Sequence, residues 1–297
     1  MRHDLVMKLF YYLILMLSLI FAKTIFANEC PTRIVYFNQN TIPDTNDAAC
    51  IDAALSIGGH ALFAGKDTGM MEFLSATGRD IEQRLDNYIK NKHISVSEVR
   101  HVMLDIEHPV HPRQFHRHYK DRKWLDIVEA FKLRIESVSN MFPGAKLTLY
   151  GIIAPSNRCD KKPIEARIDP LVSAHENGLS DNLYKYGAVL YLRNSLDEET
   201  EAISSLCLID KFDAIRQTVS GVIPVNSYMP LLSMRIYSSQ SSKNRTNVGD
   251  DDIVLLNSQI QRLKRLGFKE VGVWHPDNEQ SADWDAMSVI RKIQFRF

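Results

Sequence analysis

Val102-Met103-Leu104-Asp105-Ile106-Glu107-His108-Pro109 is an apolar run that ends in two acids one residue apart. Side chains alternate across a strand, so Asp105 and Glu107 share one face while Leu104 and Ile106 share the other. Two carboxylates roughly 6–7 Å apart along a strand repel, and repulsion raises one pKa until one acid holds a proton beside one that does not. Cleavage of a glycosidic bond uses that combination. The structural alternative is a strand end whose acids are solvated, or paired with the Arg, Lys and His that follow.

Outward from this stretch the chain alternates short apolar segments with amphipathic ones. The pattern predicts strands over residues 33–37, 60–63, 99–106, 146–153, 188–192, 221–226 and 270–274, with a further short one at 233–237. Helices are predicted over 78–91, 124–141, 163–177, 198–218, 251–266 and 282–294. Pro143-Gly144 stops the second helix, Asp250–Asp252 places negative charge at the start of the fifth, and Gly267 closes it. Repeated βα units imply a mostly parallel sheet. Seven or eight of them in one chain of this length point to a single-domain α/β fold of the (β/α)8, TIM-type barrel class. No GxGxxG or GxxxxGK[ST] run follows the first strand, which argues against nucleotide binding.

The N-terminus reads as a secretory signal peptide over residues 1–27. Arg2 and Lys8 precede a continuous apolar run from Leu9 to Phe21, too short to span a bilayer, and Ala27 is a plausible last residue of the signal. The expected barrel domain is then 28–297, secreted to an extracellular or periplasmic space, with no stable membrane insertion after cleavage. Loss of Arg2, Lys8, Lys23 and Asp4 leaves 33 basic and 35 acidic residues. That balance offers neither the basic field of a nucleic-acid binder nor an acidic tail. The four cysteines, Cys30, Cys50, Cys159 and Cys207, suit disulfides in an oxidising compartment. Moderate loops favour Cys30–Cys50 and Cys159–Cys207 among the three possible connectivities. None has CxxC spacing, so a structural zinc site is not indicated. Nothing in the sequence calls for a cofactor, and oligomeric state is not legible in it.

Barrel active sites gather at the C-terminal ends of the strands. Those predicted ends supply Asp105, Glu107 and His108, then Tyr150, Tyr191, Asn226 with Tyr228, and Trp274. Acids at one strand end with aromatics at several others suit a sugar cleft, where rings stack on aromatic faces and hydroxyls need directional polar partners. For any single Tyr or Trp, a place in the core is the structural alternative.

The order of these segments resembles the hyaluronidase family of glycoside hydrolases. Leu104-Asp105-Ile106-Glu107 is similar to that family's Asp-Trp-Glu strand. Leu149-Tyr150-Gly151-Ile152-Ile153-Ala154-Pro155, Tyr186-Gly187-Ala188-Val189-Leu190-Tyr191-Leu192, Val222 to Pro230, and Leu266-Gly267-Phe268 through Val273-Trp274-His275 resemble its later strands in the same order. The resemblance implies a secreted (β/α)8 barrel that cleaves N-acetylhexosamine-containing glycans. It implies that Glu107 is the general acid and that Asp105 orients the substrate's own N-acetyl group, which attacks the anomeric carbon in place of an enzyme nucleophile. Tyr191 would hold the acetamido group, and Trp274 would floor the site. Ile106 stands where the family has Trp, Ile152 where it has an aromatic, and His275 where it has Gly, so the glycan itself is left open.

Two other readings carry their own features. His108, His111, His116 and His118, beside Asp105 and Glu107, offer a metal-dependent hydrolase or phosphodiesterase on the same barrel. The structural alternative is a solvated loop with Arg113, Arg117, Lys120 and Arg122. A secreted barrel that binds glycans without cutting them keeps the cleft and loses the chemistry.

Overall fold

The computed structural model describes residues 30, 32–39, 50–153, 167–190, 193–194, 198–233, 235–238, 245–247 and 252–275. Contacts divide the chain into Met1–Pro31 and Thr32–Phe297. Within the second unit the order is β1 (Arg33–Gln39), β2 (Ile51–Gly58), α1 (Met70–Ser75), α2 (Gly78–Asn91), β3 (His101–Asp105), α3 (Phe115–His118), α4 (Trp124–Met141), β4 (Lys146–Ile153), α5 (Ile168–Glu176), β5 (Lys185–Val189), β6 (Arg193–Asn194), α6 (Glu198–Thr218), β7 (Tyr228–Ser233), β8 (Arg235–Ser238), β9 (Arg245–Asn247), α7 (Asp252–Arg265) and β10 (Glu270–His275).

Seven strands close into a parallel barrel in the order β1-β10-β7-β5-β4-β3-β2, and β6, β8 and β9 form a separate small sheet. Alternation along each strand divides the core in two. Ile34, Tyr36, Leu55, Ile57, Leu104, Ile106 and Leu149 face outward, in one cluster with Ile81 and Leu85 of α2 and Phe131 of α4. Val35, Phe37, Ala54, Met103, Tyr150, Met229 and Leu231 fill the barrel interior. Strands buried on both faces explain the continuous apolar runs. The interior is tight: a Cβ on Gly187 or Gly272 would stand 2.7 or 2.4 Å from Leu231 methyl carbons.

The helices follow from local signals. Thr77 caps α2 through a reciprocal capping box with Asp80, and Ile81, Leu85 and Ile89 then recur every fourth residue on the buried face. In α4 the buried positions Ile127, Val128, Phe131, Ile135 and Val138 form the corresponding stripe. The helices expected over 78–91, 124–141 and 198–218 have those limits, and the one expected over 251–266 spans Asp252–Arg265. The segment expected over 163–177 is helical over Ile168–Glu176. The signal segment 1–27 and the helix expected over 282–294 lie outside the described residues.

Three strand expectations are corrected. Residues 60–62 fall in a 3-10 turn, Gly59–Leu62, which Phe63 ends, and the strand is Ile51–Gly58. Asp52, Ala53 and Ala54 give that run little intrinsic strand preference; pairing of Ile34 with Ile51 and of Leu55 with Val102 supplies it. No strand covers 221–226; the barrel strand is Tyr228–Ser233, which contains Pro230. Proline argues against an interior strand, so the sequence points to the segment before it. The strand expected over 188–192 begins earlier, at Lys185.

Cys30, Cys50 and Cys207 are each disulfide-bonded, as expected for cysteines of an oxidising compartment. Cys159 lies outside the described residues. Among the described residues no helix is long and apolar enough to cross a membrane.

Candidate active site

Because the barrel strands are all parallel, their C-terminal ends share one mouth. Asp105 is the last residue of β3, directly above Met103 of the barrel interior. Ile106 is buried among the outward-facing residues, and Glu107 comes next. The alternation read from the sequence is observed as far as Ile106, and Glu107 lies beyond the strand. The two acids differ in exposure: Asp105 is half-buried, with its Oδ1 sealed and without a hydrogen-bond partner, whereas Glu107 is exposed. Burial raises the Asp105 pKa to about 8, the Glu107 charge pushes the same way, and the Arg113 guanidinium opposes both.

The loop after β3 is anchored rather than free. Val110, His111, Pro112 and Phe115 are buried, and the Phe115 ring meets Trp124 at 5.3 Å and Phe131 at 5.1 Å, edge to face. His111, only 3 % exposed, lies with Nε2 3.7 Å from Oε1 of Glu107. Its Nδ1 accepts a hydrogen bond from the Arg113 backbone N–H at 3.1 Å. Burial, and then the charges of Arg113, His108 and Arg167, lower its pKa to about 3, so the ring is neutral across the physiological range. The Tyr150 ring lies 5.8 Å from the His111 ring.

A bulge in β4 makes room for this imidazole. The ladder to β5 shifts register between Tyr150 and Ile153, and Gly151 between them has φ +83°. Bulges at barrel rims re-aim side chains beside functional sites.

Around the mouth, Trp274 at the end of β10 packs partly buried against the barrel interior, in register with Phe37 and Ser233. Tyr150 joins the same interior cluster. His108 is half-buried immediately after Glu107, and Tyr191 lies outside the described residues. Asn226 and Tyr228 are corrected: they sit at the N-terminal end of β7, at the barrel's opposite end. There the Asn226 carbonyl accepts from Lys185 Nζ, and Tyr228, buried in the outer core, packs on Phe212 and Tyr186. Their misplacement follows from the seven-residue error in the strand that carries them.

The histidines of residues 108–118 do not converge. His116 Nδ1 bonds the Arg113 carbonyl at 3.2 Å, His118 Nδ1 faces Asp121 at 3.9 Å, and only His111 turns to an acid of the pair. Among the described residues no group of three His, Cys, Asp or Glu side chains is placed to hold a metal ion. The contact of His111 with Glu107 is the feature that sequence reasoning missed. Its spacing of four residues was visible, but only the fold of the loop turns the ring back.

A cavity of about 590 Å³ lies at the other end of the barrel, lined by Arg33, Asp52, Arg100, His101 and Lys146. Its charges largely satisfy one another. Arg33 grips Asp52 with two bonds of 2.9 and 2.6 Å, and Lys146 meets Glu270 at 3.2 Å. That arrangement reads as barrel closure rather than chemistry.

No protein-family model matches the chain, and no curated protein matches it. Among solved structures, a monoclinic crystal form of bee venom hyaluronidase is similar at 11% identity with a TM-score of 0.56, covering 89% of this chain and 96% of that chain. The same bee enzyme with a hyaluronic acid tetramer gives 12% identity and 0.43, over 75% and 74% of the two chains. A GH18 chitinase from Pseudoalteromonas aurantia gives 10% and 0.44, over 82% and 76%. The first likeness shows a shared fold, the TIM-type barrel described above.

Proposed function

We propose that this protein is a secreted glycoside hydrolase that cleaves glycans containing N-acetylhexosamine, with Glu107 as general acid and Asp105 as the group that orients the substrate's acetamido arm. The observation that carries the reading is the unequal acid pair at the end of β3. Asp105 has a sealed, unpartnered Oδ1 and a raised pKa, and Glu107 stands exposed two residues on. Asp105 holds a proton near neutral pH that it can pass to its neighbour.

A bound acetamido N–H donating to Asp105 favours its carboxylate form and sends the proton to Glu107. Glu107 then protonates the glycosidic oxygen as the C1–O bond breaks, and the acetamido oxygen closes on C1. Water opens the resulting cyclic intermediate and gives its proton back to Glu107, which restores the pair. The reading takes Trp274 as the floor beneath the reacting sugar, with Tyr150 and His108 beside it and Tyr191 as the acetamido partner that the resemblance implies. The charged, then apolar N-terminal stretch and the disulfide-bonded cysteines support export. Similarity of fold to a hyaluronidase is consistent with this chemistry, and the glycan remains a matter for assay.

The test is reducing-end release from N-acetylated polysaccharides by the wild type and by Glu107→Gln. Loss of activity in the variant, with its fold intact, supports the reading. Equal activity in both would remove Glu107 from the role of acid. Glycan binding without any cleavage by the wild type would favour the non-catalytic barrel.

A further inference from the structure

Glu107 is exposed and follows the last residue of β3, so the strand ladder does not fix its carboxylate. A general acid held at random orientations loses much of its effect, because a misplacement of about 1 Å can cost about a hundredfold in rate. The fold supplies one group that can fix it. Nδ1 of His111 is occupied as an acceptor by the Arg113 N–H. In a neutral imidazole the remaining proton must then sit on Nε2. That nitrogen is sealed from solvent, has no hydrogen-bond partner within range, and stands 3.7 Å from Oε1 of Glu107. The gap is longer than a hydrogen bond and too short for a bridging water. Contacts of this kind close when substrate fills a site.

Resting on the proposed role of Glu107, we infer that His111 is a positioning residue, whose Nε2–H engages Oε1 of Glu107 and leaves Oε2 to carry the proton that reaches the glycosidic oxygen. A carboxylic acid can accept through its carbonyl oxygen while donating through its hydroxyl, so this contact orients the acid and leaves its proton in place. An imidazolium at the same spot would favour the ionised carboxylate and disarm it. The ring's surroundings keep it neutral: it is buried, and the groups that face it are the cations Arg113 and Arg167, with His108 and the Glu107 carboxylate, while Asp105 acts on Glu107 from the strand. The tautomer is fixed by a backbone amide, the ring's depth by Pro112 and Phe115, and the space for it by Gly151.

Two measurements test this. Ring 15N NMR of the wild type should show His111 with protonated Nε2 and bare Nδ1 from pH 5 to pH 8; an Nδ1–H tautomer or an imidazolium in that range overturns the inference. In polysaccharide assays, His111→Phe, which keeps a buried ring and loses the N–H, should lower kcat about 10- to 100-fold with little change in KM. His111→Gln, which keeps a donor, should recover part of the loss. In a Glu107→Gln background, His111→Phe should cost nothing further. Wild-type kcat in His111→Phe beside an inactive Glu107→Gln overturns the positioning role alone, whereas an active Glu107→Gln overturns the reading beneath it. If no polysaccharide is cut, or if the Phe variant fails to fold, the 13C titration of the Glu107 carboxyl in His111→Leu, which has no donor, decides. A curve altered from wild type supports the contact, and an identical curve overturns it.

Discussion

A Cβ on Gly151 would stand 2.3 Å from Cε1 of His111, so the bulge in β4 and the loop after β3 fit each other with no room for a methyl group. The backbone adds to this, since φ +83° at Gly151 suits glycine and strains other residues. Gly151→Ala should therefore destabilise the fold by about 1–3 kcal/mol, measured by urea unfolding. It should also impair glycan cleavage beyond that loss, because the imidazole must move. A variant as stable and active as wild type would show that the ring has another place to go.

Glu107→Gln removes the transferable proton at an exposed position. Cleavage should fall by about 10²- to 10⁴-fold, while the unfolding midpoint stays close to wild type, because surface substitutions commonly change stability by less than about 0.5 kcal/mol. Rate and midpoint measured on one preparation separate chemistry from folding.

Asp105 gives a pH signature with a definite sign. Its folded pKa, pushed up to about 8, lies above the ordinary carboxylate value of about 3.9. Between those values the unfolded chain has released the proton and the folded chain still holds it, so ionisation works against the fold as pH rises. Asp105→Asn should match wild type most closely below pH 4 and gain relative stability up to about pH 8, then hold level. Denaturant midpoints across that range check it, and a flat difference would mean that Asp105 titrates as an ordinary surface acid. The same variant should lose activity.

Arg134 is a buried cation that no sequence pattern announced. Its guanidinium donates to the carbonyls of Leu62 (2.7 Å), Ala130 (2.6 Å), Phe63 (3.3 Å) and Phe73 (2.8 Å), and it lies 3.8 Å from the centre of the Phe73 ring. It ties α4 to the turn after β2 and to α1. Arg134→Ala leaves several buried carbonyls unpaired and should cost about 3–5 kcal/mol. Arg134→Lys should also destabilise, because an ammonium cannot reproduce the planar fork. Thermal unfolding of both variants tests this.

Chelation separates the acid pair from the metal reading. His111, His116 and His118 each turn to a different partner. Cleavage should be unchanged after EDTA treatment and dialysis, and its loss with recovery on adding a divalent ion would restore the metal-dependent alternative.

Local information carried much of the fold. The limits of α2, α4 and β4 follow from caps, periodicity and the Pro143-Gly144 stop, which are properties of neighbouring residues. The same alternation placed Asp105 over Met103 and Ile106 in the outer core, so the direction of Asp105 was legible in the order of residues along the strand. Where local preference disagreed with long-range pairing, the reading failed. β2 is alanine-rich and β7 contains Pro230, and both are strands because their neighbours in the barrel complete their ladders. Misplacing β7 carried Asn226 and Tyr228 to the wrong end of the barrel.

By itself, then, the sequence determined the βα alternation, the barrel class and the inward face of Asp105, because strand and helix periodicities are set within a few residues. Only the tertiary structure decided the rest. Burial that seals Asp105, the return of His111 to Glu107, and the glycine bulge that admits its ring all depend on segments brought together by barrel closure. The field at a carboxylate depends on what surrounds it in space, and chain order does not encode that directly.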